Sequence, residues 1–146
     1  MKTAIVLGAS GALGMEIAQA LISKGYFVIG TYNKNKPDFK NVNIEFYQLS
    51  LENLNSIDEF IRKINKIEGI DFFVNTISNI MNFDKFENIE HRYFKEDIEI
   101  NYLSHIYILQ NLITKFRKGS NIIFVLTEMI DKPAKYFSSY ISSKYA

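Results

Sequence analysis

Five short apolar runs recur along the chain, each bounded by glycine or polar residues, and amphipathic stretches separate them. Their length and their content of Ile, Val and Phe are typical of buried β-strands. The predicted strands are residues 1–7, 26–32, 44–49, 70–75 and 121–127. Apolar residues at helical spacing predict helices over residues 12–24, 57–67 and 93–116. Strands that alternate with helices favour an α/β fold, with a doubly wound parallel sheet buried between helices.

The composition is that of a globular domain and narrows the choice of partners. The chain has 146 residues, 47% of them hydrophobic and 23% charged, so it can bury a core. A net charge of +1 gives no basic surplus for nucleic acid, and no signal peptide or membrane span is evident. We therefore expect a cytoplasmic protein without a nucleic-acid or membrane partner. The chain has no cysteine, and its two histidines, His91 and His105, are interpreted as surface or packing residues. We therefore expect no metal site.

The first strand–helix connection, Gly8-Ala9-Ser10-Gly11-Ala12-Leu13-Gly14, has three glycines in seven residues. Glycines at this place are typical of dinucleotide binding, because they allow a tight turn and a backbone that approaches the pyrophosphate closely. The N–H groups at the start of the following helix can then receive the anion. The predicted cofactor-binding residues here are Gly8, Ser10, Gly11, Ala12, Leu13 and Gly14.

The end of the second strand indicates which nicotinamide cofactor is bound. An acidic residue about 20 positions after the glycine turn would bind the ribose hydroxyls of NAD. The sequence there is Thr31-Tyr32-Asn33-Lys34-Asn35, and the first carboxylate after it is Asp38. Lys34 could bind the 2′-phosphate of NADP, or it could be a solvated loop lysine. We predict NADP (NADPH) rather than NAD, with Tyr32, Asn33 and Lys34 among the cofactor-binding residues.

Near the end of the chain, Tyr140 and Lys144 are four residues apart. On a helix this spacing places both side chains on one face. A neighbouring cation favours the phenolate form of a tyrosine, which makes Tyr140 a candidate general acid or base. Such a pair occurs by chance in many helices, so it becomes specific only in combination with the glycine turn.

Together these motifs resemble the short-chain dehydrogenase/reductase family, whose domain is a Rossmann fold, over nearly all 146 residues. The predicted strand that ends at Asn75 resembles the one before the family's Asn-Asn-Ala-Gly motif. The resemblance implies a catalytic set of Asn101, Thr127, Tyr140 and Lys144. It also implies that Asn75, Tyr140 and Lys144 contact the cofactor.

The resemblance implies a hydride transfer between the nicotinamide and a carbonyl or alcohol carbon. Tyr140 would protonate the developing alkoxide, and Lys144 would hold the nicotinamide ribose. Thr127 would orient the substrate oxygen, and Asn101 would hold a water that relays protons. The substrate would be a small carbonyl or alcohol, as in 3-oxoacyl-carrier-protein reductases, and the long helix would build a homo-oligomer.

The glycine turn also leaves a second branch of the family open. Ala12 stands where ordinary members have glycine, and the spacing suits the extended branch, which includes nucleotide-sugar epimerases and dehydratases. Asn75 and the thirteen residues from Thr127 to Tyr140 favour the ordinary branch.

Three further positions depart from the family pattern. Asn75-Thr76-Ile77-Ser78 keeps only the first residue of Asn-Asn-Ala-Gly, so a side chain replaces the final glycine near the cofactor. Ser50 stands where an aspartate is usual near the adenine. Thr127 replaces a serine, and its extra methyl group restricts the rotamer.

The sequence ends at Ala146, two residues after Lys144, whereas family members continue to about 250 residues, near the upper end for one domain. We therefore expect one NAD(P)-binding domain, residues 1–146, that is incomplete at its C-terminus. Its fifth strand would be an open edge, and its last helix would fray. A catalytically inactive cofactor-binding fragment is accordingly an alternative to an active reductase.

Overall fold

The computed structural model describes residues 1–80 and 82–146, which form two compact units. The first unit consists of Met1–Ile77 and Asn111–Val125. The second unit consists of Ser78–Gln110 and Leu126–Ala146. The first unit contains the whole sheet, and the second contains most of the helical residues from 91 onward.

The sheet of the first unit has five strands, all paired in parallel, as predicted. The strands are β1 (Lys2–Leu7), β2 (Tyr26–Tyr32), β3 (Ile44–Gln48), β4 (Ile70–Asn75) and β5 (Phe116–Phe124). Their order across the sheet is β3-β2-β1-β4-β5. The order therefore changes direction between β1 and β4, and the carboxyl ends of strands at such a point are where open α/β sheets bind ligands.

The core of the first unit is formed by the near-continuous apolar strands. Residues 4–7 of β1 are fully buried, and Phe73 and Val74 of β4 are buried beside them. At the edge of the sheet, β5 exposes Ile122 and Ile123 by 41% and 43%. The edge position and the apolar surface of the fifth strand agree with the sequence-based expectation.

Two helices of the first unit also follow the prediction, with one corrected boundary. Helix α1 is Ala12–Ser23 and helix α2 is Leu54–Ile64. The N-cap of α2 is Asn53, whose side chain accepts from the N–H groups of Asn55 and Ser56. The sequence also offers Asn55 or Ser56 as the cap of a helix that starts at residue 57, and the structure shows that this prediction is wrong. An Asn that directly precedes a helix satisfies the free N–H groups of its first turn, and this starts α2 three residues early.

The fifth strand starts earlier than predicted. It begins at Phe116, within the predicted helix, and ends at Phe124, before Thr127. Ile70 of β4 pairs with Phe116 but Phe72 pairs with Asn121, so β5 bulges between these pairs. Gly119 lies in this bulge with a φ of +83°. The bulge hides the strand period in the sequence, and Phe116 packs on Phe73 of β4 instead of extending the helix.

The second unit replaces the predicted single helix over 93–116 with three consecutive segments. Helix α3 (His91–Ile98) continues through a π-helical turn (Glu99–Leu103) into α4 (Ser104–Leu112), whose last two residues belong to the first unit. Helix α5 (Ser138–Tyr145) packs against α3. Helix α5 is regular, and five of its residues are buried.

Candidate active site

The glycine turn of the first unit is held by the end of β2. Gly8 has a φ of +84°, and the N–H of Gly11 donates to its carbonyl at 3.0 Å. The hydroxyl of Thr31 accepts from the N–H of Gly8 at 2.9 Å, and its carbonyl accepts from the N–H of Ser10 at 3.3 Å. Thr31 is buried, so this polar side chain of β2 supports the backbone of the turn.

Two of the three glycines are required by close contacts. A Cβ atom on Gly14 would lie 2.2 Å from the carbonyl oxygen of Gly8. On Gly8, a Cβ atom would lie 2.7 Å from the hydroxyl of Thr76, in addition to the strain of a positive φ. Gly14 thus lets the first turn of α1 pack directly on the chain that leaves β1.

The segment after β4 is fixed to β1 although it lacks most of the family motif. Asn75 is buried, and its side-chain oxygen accepts from the N–H of Ile77 at 3.0 Å. The Thr76 hydroxyl donates to the carbonyl of Leu7 at 2.8 Å. The hydroxyl of Thr76 therefore anchors this connection beside Gly8.

In the second unit, Asn101 lies in the π-helical turn and bonds to two segments of the chain. Its side-chain oxygen accepts from the N–H of Asn79 at 2.9 Å. Its side-chain amide donates to the carbonyl of Asn79 at 2.8 Å and to the hydroxyl of Ser143 at 3.0 Å. The Ser143 hydroxyl in turn donates to the carbonyl of Tyr140 at 2.7 Å. This chain of bonds ties Asn101 to the helix that carries Tyr140 and Lys144, and such π-helical turns are frequent at functional sites.

Tyr140 and Lys144 share the buried face of α5. Their exposures are 7% and 9%, and the Lys144 ammonium lies 5.7 Å from the centroid of the Tyr140 ring. Burial lowers the pKa of Lys144 from its ordinary value of 10.5, and the negative charge of Asp97 partly opposes this shift. The hydroxyl of Ser78 donates to the phenol oxygen of Tyr140 at 3.0 Å. The predicted helical pairing of the phenol and the ammonium is confirmed.

Beside this pair, the two histidines have the surface and packing positions predicted for them. His105 is 1% exposed, whereas His91 is exposed. Burial, with a smaller contribution from the charge of Lys144, lowers the pKa of His105 from 6.5 to about 4. His105 is therefore a neutral side chain near the ammonium at neutral pH.

The family is decided by the sequence as a whole. A family model described as short chain dehydrogenase matches residues 2–146. The chain belongs to the short-chain dehydrogenase family. No curated protein matches it in sequence.

Several solved structures have the same fold as this chain. A short chain dehydrogenase family protein from Francisella tularensis subsp. tularensis SCHU S4 is 20% identical with a TM-score of 0.89, and the match covers 99% of this chain and 59% of that one. The provisionally assigned carbonyl reductase Sniffer of Caenorhabditis elegans is 17% identical with a TM-score of 0.87, and coverage is 99% and 74%. A provisionally assigned betaketoacyl-ACP reductase is 18% identical with a TM-score of 0.82, and coverage is 99% and 62%. The chain thus spans about three-fifths of the length of the first of these proteins.

The start of α1 in the first unit fits the pyrophosphate of a dinucleotide. Gly11 is the N-cap and makes no side-chain bond to the helix, and the first turn holds no acidic residue. The N–H groups of Ala12, Leu13 and Gly14 therefore have neither an intrahelical acceptor nor a capping side chain. Ser10, Gly11, Ala12 and Leu13 are exposed, so an anion can reach this end of the helix.

Three of the predicted cofactor-binding residues lie at the end of β2 or directly after it. Asn33 and Lys34 are exposed, and Tyr32 is half-buried. The carbonyl of Asn33 accepts from the side-chain amide of Gln48 at 2.9 Å, which fixes the chain just before the lysine. The Lys34 ammonium is thus an exposed cation beyond the end of the strand.

Thr127 lies in the second unit and caps a short turn there. Its side-chain oxygen accepts from the N–H of Met129 at 3.3 Å and caps the short 3-10 turn Glu128–Ile130. In residues 1–80 and 82–146, no hydrogen bond joins Thr127 to Tyr140. The structure therefore links Asn101 to α5, which carries Tyr140 and Lys144, and Thr127 takes no part in these bonds within the described residues.

Three residues of the site were not foreseen in the sequence. In the sequence, Thr31 looks like an ordinary β-branched strand residue. Its bond to Gly8 connects two strands across the first βαβ connection. Ser143 stands directly before Lys144. Its contact with Asn101 could be predicted only from the topology of the chain. Ser78 was visible as the side chain that replaces a glycine, but its partner lies 62 residues away.

Two further properties concern the described residues alone. None of the helices there is long and apolar enough to cross a membrane. Nor do residues 1–80 and 82–146 bring together three or more His, Asp or Glu side chains that could hold a metal ion.

Proposed function

We propose that this short-chain dehydrogenase chain binds NADPH and uses Tyr140 as the proton donor in the reduction of a carbonyl group. The observation that carries the proposal is the buried set on α5 and the π-helical turn. There the Asn101 amide donates to the Ser143 hydroxyl of α5, and the Lys144 ammonium lies 5.7 Å from the centroid of the Tyr140 ring. Buried polar groups in such an arrangement are typical of acid–base chemistry.

The cofactor-binding part of the proposal rests on the first unit. The uncapped start of α1 would receive the pyrophosphate, and Asn75 would support the cofactor at the carboxyl end of β4. NADP is favoured over NAD because residues 31–37 contain no carboxylate, whereas Lys34 offers a cation for the 2′-phosphate.

Each of the four proposed catalytic residues has a role in this chemistry. When bound, the nicotinamide cofactor supplies the hydride that reduces the carbonyl carbon. Tyr140 gives its phenol proton to the alkoxide oxygen, and the Lys144 ammonium stabilises the resulting phenolate and holds the nicotinamide ribose. Asn101 fixes α5 through Ser143 and holds the relay water, and Thr127 orients the substrate oxygen.

Asp97 supports this use of Lys144. Burial of an ammonium favours its neutral form, but a neutral amine would not stabilise a phenolate. The negative charge of Asp97 opposes the effect of burial on the pKa of Lys144. Asp97 thereby helps to keep the ammonium charged at neutral pH.

The substrate that we propose is a small carbonyl compound of the 3-oxoacyl type, and the long helical segment is the proposed homo-oligomer contact. Both parts follow from the family resemblance. Reduction of 3-oxoacyl thioesters compared with that of simple ketones tests the first, and sedimentation of the purified chain tests the second.

Binding and turnover are measured separately to test the core of the proposal. NADPH fluorescence gives the dissociation constants for NADPH, and absorbance at the nicotinamide band gives turnover. Tyr140→Phe should lower turnover by about 100-fold or more and raise the NADPH dissociation constant by no more than about tenfold, the effect of one lost hydrogen bond. Tyr26→Phe, which removes a phenol hydroxyl at the start of β2, is the matched control and should keep full turnover.

Each alternative has its own outcome. NADPH binding without turnover in the unmutated chain would indicate an inactive cofactor-binding protein. Binding of a UDP-sugar would indicate the extended branch. Full activity of Tyr140→Phe would contradict the proposed proton donor.

A further inference from the structure

The phenol oxygen of Tyr140 has a hydrogen-bond donor that neither the family motif nor the proposed mechanism includes. The hydroxyl of Ser78 donates to this oxygen at 3.0 Å. Ser78 follows β4 in the chain and belongs, like Tyr140, to the second unit. It occupies the place of the final glycine of Asn-Asn-Ala-Gly, and a glycine there has no hydroxyl to offer.

This contact between two hydroxyl groups suits a proton donor. A phenol oxygen can accept from the Ser78 hydroxyl at 3.0 Å while its own proton goes to another acceptor. Once that proton has left, the same bond points at a phenolate. Hydrogen bonds to an ionised oxygen are roughly twice as strong as those to a neutral one. The bond therefore favours the product of proton transfer over the starting state.

Other polar groups near Tyr140 do not duplicate this bond. The side-chain oxygen of Thr127 accepts from the N–H of Met129, and within residues 1–80 and 82–146 no hydrogen bond joins Thr127 to the phenol of Tyr140. The Lys144 ammonium lies 5.7 Å from the centroid of the Tyr140 ring and so acts on the phenol through its charge. Ser143 donates to the backbone carbonyl of Tyr140 and not to its side chain.

We infer that Ser78 is a positioning residue for the proton donor, which holds the phenol of Tyr140 and stabilises the phenolate that it becomes. The inference rests on the proposed function, in which Tyr140 gives the proton. Its first test, however, needs no cofactor and no turnover.

The first test is a pH titration of the purified chain with tyrosine labelled at the ring carbon that bears the oxygen. Carbon NMR then follows each phenol separately, and Tyr140→Phe identifies the signal of Tyr140 among the nine tyrosines. In Ser78→Ala the Tyr140 phenolate should form at higher pH than in the unmutated chain, because its donor is lost. Ser78→Thr keeps a hydroxyl and should restore the original titration.

A serine on the same helix as Tyr140 provides the matched control. Ser142 is exposed, and its hydroxyl donates to the carbonyl of Ser138 at 2.7 Å. Ser142→Ala should leave the titration of Tyr140 unchanged. Ser78→Gly, which restores the residue of the family motif, is a second variant without a hydroxyl and should behave as Ser78→Ala does.

The second test measures turnover in the same variants. Ser78→Ala and Ser78→Gly should lower kcat by about 10- to 100-fold, the effect of one hydrogen bond to a charged group. KM for NADPH should not change, and Ser78→Thr should recover most of kcat. A loss in Ser78→Ala that Ser142→Ala matches would overturn the inference.

The two tests separate failure of the inference from failure of the proposed function. If removal of the Ser78 hydroxyl does not move the phenolate titration of Tyr140, the inference is wrong whatever the turnover. If the titration moves but the unmutated chain reduces no carbonyl, the role of Ser78 in holding the phenol is supported and the proposed reductase activity is wrong.

Discussion

Acid should destabilise this protein through a single buried histidine. Burial lowers the pKa of His105 from 6.5 to about 4, and the charge of Lys144 adds to the effect. In the folded chain His105 therefore stays neutral down to about pH 4, whereas in the unfolded chain it takes up a proton near pH 6.5. The unfolded state binds more protons between these values, so the free energy of unfolding falls as the pH falls through this window.

The size of the effect follows from the shift. A difference between 6.5 and about 4 corresponds to about 3 kcal/mol when the window has been crossed completely. Between pH 7 and pH 5 the loss is about 2 kcal/mol. Small domains are stable by only about 5–15 kcal/mol, so this loss is measurable.

Urea unfolding followed by circular dichroism measures this loss in the free energy of unfolding. Circular dichroism suits a chain without tryptophan. The unmutated protein and His105→Leu, which has a similar volume and cannot titrate, are compared at pH 7 and pH 5. Between pH 7 and pH 5 the free energy of unfolding of His105→Leu should fall by about 2 kcal/mol less than that of the unmutated protein. His91→Gln, a change at an exposed position, should retain the original pH dependence. Equal pH dependence of the unmutated protein and His105→Leu would refute the assignment.

Three other predictions concern the cofactor turn, the cofactor choice and the charge of Lys144. Gly14→Ala should abolish NADPH binding, because its Cβ atom would lie 2.2 Å from the carbonyl oxygen of Gly8. The control Gly25→Ala, at a positive φ but in open space, should cost about 1 kcal/mol of stability and leave NADPH binding intact. Fluorescence titration measures the binding, and urea unfolding measures the stability. Lys34→Glu should weaken binding of NADPH but not of NADH, and an equal loss for both cofactors would argue against contact with the 2′-phosphate. Asp97→Asn should lower the pKa of Lys144 further, since the carboxylate raises it; the alkaline limb of the turnover profile should move to lower pH, and an unmoved limb would contradict the assignment.

Local sequence predicts those parts of the fold that depend on neighbouring residues. The four strands from β1 to β4 and the helices α1 and α2 are continuous apolar or periodic runs, so their positions follow from the sequence within a few residues. The fifth strand does not, because its bulge between Phe116 and Asn121 interrupts the period. Its first residues are fixed by pairing with β4, which lies more than forty residues away in the chain.

The candidate site divides in the same way. The glycine turn and the Tyr140–Lys144 pair are short motifs with local geometry, and both could be predicted. The partners that hold them could not, because Thr31 reaches Gly8 and Ser143 reaches Asn101 only through tertiary contacts. Ser78 is the clearest example, since its departure from the family motif was evident while the atom that it contacts was not.

The π-helical turn between α3 and α4 has a consequence for insertions and deletions. In an α-helix each residue rotates the following chain by about 100°, so one residue more or less changes which faces are buried on every later turn. The wider turn at Glu99–Leu103 absorbs such a difference, so the helix before it can keep Asp97 buried and the helix after it can keep His105 buried. Deleting one residue from this turn should restore a uniform α-helix, misalign one of these two faces and remove the amide of Asn101 from its partners on Ser143 and Asn79. The spacing between the two helices is thus a parameter of the site, as much as the identity of the residues that line it.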